Sequence, residues 1–512
     1  MSGVAVRWLI AGTTALAASA PLTSCAVGPD FNRPAAPDIV RYTREPMALQ
    51  TASTDTRDGQ RQIFVSRDIS QEWWRLFRSQ ALNTLIEHAL QNNPNLQSAL
   101  ATLRSARENV AAQEGKYFPL VAANFNPTRQ RTGRALSPVL STNSNIFDLD
   151  TTQLTVSYTF DVWGLNRRTV EALEALADVQ QFQVEAAYLT LTSNLVVAVI
   201  TEGALRDQIE ATVRLIEASG GMRDTLQRQF DAGLVSRNEL AAQEAALAQA
   251  RATLPPLRKA LAQQVDLIAA LTGVYPSNGP RKTFTLAELR LPSNLPVSLP
   301  SLLIEQRPDI RAAEAQLHSA SALVGVATAN TLPSFTISAD GGFVNTALAH
   351  LLAPQNIFWD VAGNATQTIF DGGTLWHQLE GTKDTYNAAA WTYRGTVIGA
   401  VQNVADSLHA LQSDADALRA ARDFERASKI SFDLASQQLQ GGKANVLLSL
   451  NAEQSYLQAS LQVIQAQAAR LSDTAALFAA LGGGWWNRKA PPVEKVLDVD
   501  SNTADTVVEK QN

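Results

Sequence analysis

Residues 153–232 limit what this chain can become more than any other stretch. They open with Gln153, Leu154, Thr155, Val156, Ser157, Tyr158, Thr159 and Phe160, where polar and apolar residues alternate without a break. That is the period of a strand with two unlike faces. Asp161-Val162-Trp163-Gly164 punctuates it. From Leu165 to about Phe230 there is no proline, and Ala, Leu, Gln, Glu and Arg dominate. Read as one helix, the run measures roughly 100 Å at 1.5 Å per residue, against about 11–12 residues for an ordinary helix. A second copy starts at residues 366–370, passes through Asp371-Gly372-Gly373 and enters another proline-free run from Thr374 to about Gln440.

Other landmarks recur in the same order. Pro94 and Pro308 lie 214 apart, as do Pro119 and Pro333; Phe160-Asp161 and Phe370-Asp371 lie 210 apart; Gly233 and Gly442, like Glu244 and Glu453, lie 209 apart. Five landmarks at nearly one offset identify an internal duplication. Residues 71–275 form repeat 1, with strands at about 120–127 and 152–160 and long helices at about 165–231 and 236–272. A proline-rich connector spans 276–300. Residues 301–482 form repeat 2, with strands at about 334–343 and 358–370 and long helices at about 374–440 and 444–481. Alternation in the fourth strand is too weak to assign its faces. Leu240, Leu247, Leu254, Leu261 and Ile268 recur every seven residues as a coiled-coil seam. Pro255-Pro256 is expected to kink that helix or break its hydrogen bonding. Residues 483–512 are read as a polar, disordered tail.

The N-terminus sets the compartment. Arg7 precedes an apolar run from Trp8 to Ala20, too short to span a bilayer. Residues 1–24 read as a signal peptide. Leu22-Thr23-Ser24-Cys25 resembles the bacterial lipobox, and Cys25 is the only cysteine of the 512 residues. The resemblance implies diacylglycerol and N-acyl chains on Cys25; no other cofactor is expected. The residue that follows is Ala26 rather than an aspartate, which implies the outer membrane. Residues 25–70 read as a lipidated, extended arm. The net charge of −6 shows no basic patch, so nucleic acid is a poor partner. The five histidines are scattered without ligand spacing, so no metal site is expected, and no catalytic set stands out.

At an outer-membrane address, the apolar face of Leu154, Val156, Tyr158 and Phe160 reads as facing lipid. The face of Gln153, Thr155, Ser157 and Thr159 then reads as facing a wet lumen. Four strands cannot close a barrel, and an open edge in hydrocarbon costs several kcal/mol per unpaired group. Eight strands barely enclose side chains, so twelve from a trimer suit a pore better. The fold class expected is mainly α with a small antiparallel β part, internally duplicated. Long helical hairpins form a periplasmic α-barrel, and four strands per protomer complete a trimeric twelve-stranded outer-membrane β-barrel.

Cys25-Ala26-Val27-Gly28-Pro29-Asp30-Phe31-Asn32-Arg33-Pro34 resembles the start of the TolC-like outer-membrane lipoproteins of RND efflux pumps. Trp73-Trp74, Leu85-Ile86, Asn93, the Phe-Pro and Leu-Pro helix ends and Phe370-Asp371-Gly372-Gly373 match as well, and the likeness covers about residues 25–482. It implies a homotrimeric passive exit duct for drugs or other small toxic compounds. The duct would be embedded in outer-membrane lipid and extend into the periplasm. A periplasmic adaptor (membrane fusion protein) and an inner-membrane RND transporter would be its partners. By position, Gly233, Leu234, Val235 and Ser236, with Gly442, Lys443, Ala444 and Asn445, become the adaptor-contact tips. The family closes its tunnel near these tips partly with acidic side chains, which implies a periplasmic gate at Asp433 and Asp224. Gly441-Gly442-Lys443 departs from the usual second tip. A type I secretion duct and a non-conducting lipoprotein stalk are the alternatives.

Overall fold

The computed structural model describes residues 26–53, 59–133, 145–298, 300–441 and 446–488. It divides the chain into two units. Unit 1 comprises residues 1–34, 104–179 and 313–393; unit 2 comprises 35–103, 180–312 and 394–512. The element order repeats. Helices α1 (Gln80–Asn92) and α2 (Pro94–Glu114) precede strands β2 (Leu120–Arg131) and β3 (Ile146–Phe160) and helices α3 (Leu165–Asp231) and α4 (Arg237–Leu271). Helices α5 (Pro300–Gln306) and α6 (Pro308–Ala329) precede β5 (Ser334–Asn345), β6 (Ile357–Thr366), α7 (Thr374–Gln440) and α8 (Val446–Ala480). The copies match in length: α3 and α7 have 67 residues each, and α4 and α8 have 35 each.

In unit 1 the four strands form one antiparallel sheet of order β2-β3-β5-β6. The strands differ from their expected bounds. β2 runs on to Arg131 and β3 starts at Ile146, so both strands reach past the expected bounds of about 127 and 152. The ladder explains this, because Arg129 pairs with Asp148 and Arg131 with Ile146, and backbone pairing needs no apolar alternation. The fourth strand ends at Thr366, where its partner β5 also runs out, since Ser334 pairs with Thr366.

In unit 2 the N-terminal arm is not featureless. Its β1 (Ile63–Val65) pairs in parallel with β4 (Asn294–Pro296) of the connector. Behind them Trp73, Trp74 and Phe77 are buried, and Trp73 stacks on Phe478 at 5.3 Å. Helix α4 continues through Pro255 and Pro256. The two missing N–H groups cost bonds to the carbonyls one turn earlier, while packing of Leu240 and Leu247 before them and Ile268 after them holds the helix.

Candidate functional site

The sheet of unit 1 supplies the first component. Residues directly opposite in an antiparallel ladder share a face, so the register assigns every strand. Val121, Val156, Ala339 and Val361 form one row; Ala123, Leu154, Gly341 and Trp359 form the next. Tyr158 faces Ile337, and Phe160 faces Phe335. This face is apolar yet open: Leu154 is 56% and Trp359 76% exposed. The opposite face carries Thr155 and Gln153, which both donate to the Asp340 carboxylate, and Thr159 beside Thr336 at 3.3 Å. The fourth strand, unreadable from alternation, thus presents Phe358, Asp360, Ala362 and Asn364 to the polar side.

The strand-to-helix joints follow from one residue type. Asp161 accepts from the Asn166 and Arg167 backbone N–H groups at 2.8 and 3.0 Å. Asp371 accepts from Gly373 and Leu375 N–H at 2.9 and 2.8 Å. A carboxylate there satisfies donors that the first helical turn leaves orphaned. The Leu375 bond, helped by those from Gly373 and Thr374, holds the Asp371 carboxyl below the usual range.

The N-terminal motif docks beside the first joint, within unit 1. Buried Arg168 donates to Asp30 at 2.7 Å, to Glu171 at 2.7 Å and to the Val27 carbonyl at 3.2 Å. Phe31 stacks on His318 at 4.4 Å, and His318 bonds Glu171 at 2.9 Å. Arg33 pairs with Glu314 at 2.9 Å. Val27 N–H reaches the Trp163 carbonyl at 3.0 Å. Gly28 lies so close to Gly325 that an added Cβ would stand 2.3 Å from its Cα. A side chain would force this crossing apart.

The hairpin tips belong to unit 2. Helix α3 ends in a Schellman motif: Gly233 N–H bonds the Phe230 carbonyl, Leu234 N–H bonds that of Gln229, and Gly233 has φ +72°. Ser236 then caps α4 through a capping box with Glu239. The Ser236 backbone N–H lowers the Glu239 carboxyl pKa. Met222, Leu226 and Leu240 of this hairpin pack against Leu439, Val446 and Leu450 of the other. Phe230 and Val235 close over the cluster. One turn deeper, Glu453 is buried with Ser219 and Gln243, and Gln243 bonds Ser219 Oγ at 3.0 Å. Burial pushes the Glu453 carboxyl up, against hydrogen bonds from Ser219 and Gln243.

A two-faced sheet leading into paired long hairpins is the pattern of one family, and the family model described as outer membrane efflux protein matches residues 85–274 and 299–483. The chain belongs to this family. It is therefore an outer-membrane efflux channel protein, and its two matched segments fall on the two repeats. The toluene efflux pump outer membrane protein TtgC of Pseudomonas putida is 28% identical over 472 residues, covering 91% of this chain and 94% of TtgC. The pyoverdine export outer membrane protein OpmQ of Pseudomonas aeruginosa is 28% identical over 426 residues, covering 81% and 87%. The solved outer-membrane channel OprN superposes with a TM-score of 0.79 at 25% identity, covering 90% of this chain and all of OprN's.

The expected site residues of this efflux protein fall into three groups. Leu22, Thr23, Ser24 and Cys25, and the second-tip residues Gly442, Lys443, Ala444 and Asn445, lie outside the described residues. At the first tip, Leu234 is 76% exposed while Val235 packs inward. The two aspartates expected at a gate are not bare charges. Asp433 pairs with Lys429 at 3.1 Å and Asp224 with Arg223 at 3.0 Å, all of them half-exposed. Phe432, next to Asp433, stacks on Tyr456 at 5.5 Å, and the Lys429 ammonium lies 5.6 Å from that ring.

Sequence reasoning missed a polar cluster in the core of unit 2. Arg470 is buried and donates to the Gln60 carbonyl at 2.7 Å, to Thr51 at 3.1 Å and to Gln62 at 3.3 Å. Burial pushes its pKa down to about 10. Nearby, burial and the neighbouring Asp473 carboxyl push Asp414 up to about 7. Its only sequence signal was polar residues set among the apolar positions of α7 and α8, which is also how a wet helix face reads. Arg168 and Glu453 were missed for the same reason.

Proposed function

We propose that three copies of this chain close one twelve-stranded barrel and that it serves as the passive exit duct of a tripartite pump. One observation carries the reading: the apolar face of a four-stranded sheet is open, and the ladder stops at β2 on one side and β6 on the other. An isolated sheet of this kind cannot sit in lipid, because both edges would leave backbone groups unpaired. Neighbouring copies supply the missing edges, and twelve strands leave a water-filled lumen lined by the Gln153, Thr155 and Asp340 face. A periplasmic adaptor and an inner-membrane RND transporter meet the hairpin tips and supply the energy. Relatives named for toluene efflux and pyoverdine export support a wide lumen that accepts drugs and other small toxic compounds.

The lipid anchor belongs to the same reading. Ala26, next to Cys25, packs beside Gly164 at the end of β3. Acyl chains on Cys25 then start at the periplasmic end of the strands, where the bilayer begins. Asp433 acts in the gate as an ion pair with Lys429 rather than as a free carboxylate, with Asp224 and Arg223 as its counterpart on α3.

Cysteines at Ala123 in β2 and Val361 in β6, two edge-strand positions on the lipid-facing side, test the assembly, with neighbouring edge positions scanned alongside them. Oxidation should yield a covalent trimer on a denaturing gel, and the purified protein should conduct in a planar bilayer. Covalent dimers with no trimer, or a silent bilayer, would sink the reading.

A further inference from the structure

One row of the unit 1 sheet breaks the neutral character of its polar face. That face is built mainly from amides and hydroxyls, as at Asn124, Gln153, Ser157, Thr336 and Asn364. Its only charged members among the described residues are Asp340 and Asp360, which stand directly opposite each other in the β5–β6 ladder. Asp340 accepts from Thr155 and from Gln153, the latter at 3.0 Å, and both donors are neutral. The arginines of the sheet, Arg129 and Arg131, lie on the other face, with Arg129 opposite Asp148. The aspartates of the long hairpins expected at a gate differ, because each has its own cation: Asp433 has Lys429, and Asp224 has Arg223.

Like charges directly opposite across a ladder destabilise a sheet. Asparagine or threonine at either position would keep the face wet without that repulsion. The pair sits in mid-strand, in β5 (Ser334–Asn345) and β6 (Ile357–Thr366), where the proposed barrel is walled by hydrocarbon. Twelve strands about 4.8 Å apart and tilted about 40° close at a backbone radius of roughly 12 Å. Side chains narrow the lumen further, toward the Debye length of about 8 Å at physiological salt. Charge of one sign at one level of such a lumen is felt across its width, and low-dielectric walls focus the field.

We infer that Asp340 and Asp360 make the barrel lumen selective for cations, so that positively charged solutes pass more readily than anions of the same size. The inference rests on the trimeric duct proposed above. Three copies set six carboxylates at one level of the lumen, the arrangement by which rings of Asp or Glu select cations. The row acts on passing charge rather than holding an ion.

The test is the reversal potential of the detergent-purified full chain in a planar bilayer under a KCl gradient. At low ionic strength K⁺ should pass at least about threefold more readily than Cl⁻. The preference should fade in 1 M salt, where the Debye length is about 3 Å. Asp340→Asn combined with Asp360→Asn should lower it at least about twofold, and Asp360→Lys should turn it toward Cl⁻. Asparagine matches aspartate in shape and removes the repulsion, so trimer yield should hold in the double variant. Asp148→Asn, on the opposite face, should leave the preference unchanged. A parent that conducts without preferring K⁺, a double variant that keeps the parental ratio, or an equal loss in Asp148→Asn would overturn the inference and leave the duct intact. A silent bilayer would remove the duct, and the inference with it.

Discussion

The sheet of unit 1 and the hairpin tips of unit 2 contain similar apolar side chains and treat them oppositely. At the tips, Leu226 and Leu240 are fully buried inside one chain. On the sheet, Leu154, Val361 and Trp359 are paired in a complete ladder yet remain open on their outer face. The tip is finished by its own sequence, because two hairpins from the two repeats cover each other. The sheet is finished only by lipid and by further copies. Duplication therefore did different work in the two places: it closed one region and left the other as one third of the barrel proposed for three copies.

The largest effect should come from charging the open face. Arg at position 156 (Val156→Arg) sits mid-strand, where a lipid-facing arginine costs about 2–4 kcal/mol in each copy. The trimer should vanish from outer-membrane fractions, whereas Ser157→Arg, one residue along, should leave it assembled. Equal behaviour of the two variants would break the contrast between faces. Next, Leu226→Ala should cost about 2–5 kcal/mol at the tip. Hydrogen exchange should rise at the ends of α3 and α4 and stay unchanged in the sheet; faster exchange in both regions would mean the tip is not self-contained.

A smaller, pH-dependent effect follows from Asp414. The folded chain holds this proton up to about pH 7, while a free carboxyl releases it near 3.8. Its contribution to stability is complete at the acid end and is lost as pH rises through about 7, because the folded state binds more protons than the unfolded state across that window. Asp414→Asn should therefore gain in Tm relative to the parent between pH 5 and pH 8, by a few degrees. A constant difference across that range would remove Asp414 as the titrating group. The smallest effect is expected at the gate. Asp433→Ala frees Lys429 and should raise single-channel conductance modestly without touching trimer yield; unchanged conductance and unchanged antibiotic entry would discard the gate assignment.

Much of this protein was legible before any coordinates. The proline-free runs from Leu165 and Thr374 begin the long helices at those residues, because length and lack of breakers are local properties. The duplication was visible as an offset, and the family motif gave the compartment. What was not legible depends on partners far along the chain. The fourth strand's faces needed the register with β5, since Asp360 and Trp359 reveal no alternation by themselves. Glu244 and Glu453 occupy equivalent repeat positions, yet Glu244 stays near Arg237 at the surface while Glu453 is buried with Ser219 and Gln243. Arg470 and Arg168 each read as ordinary helix-surface cations until residues more than a hundred positions away closed over them.

The sequence by itself determined the periodicities, the two-copy plan, the turn and cap chemistry and the class of protein, because each resides in residue type and spacing over a few turns of chain. Only the tertiary structure decided which side chains share a face and which charges are buried. Those outcomes depend on hydrogen-bond register and desolvation, and both are set by residues that meet in space rather than in sequence.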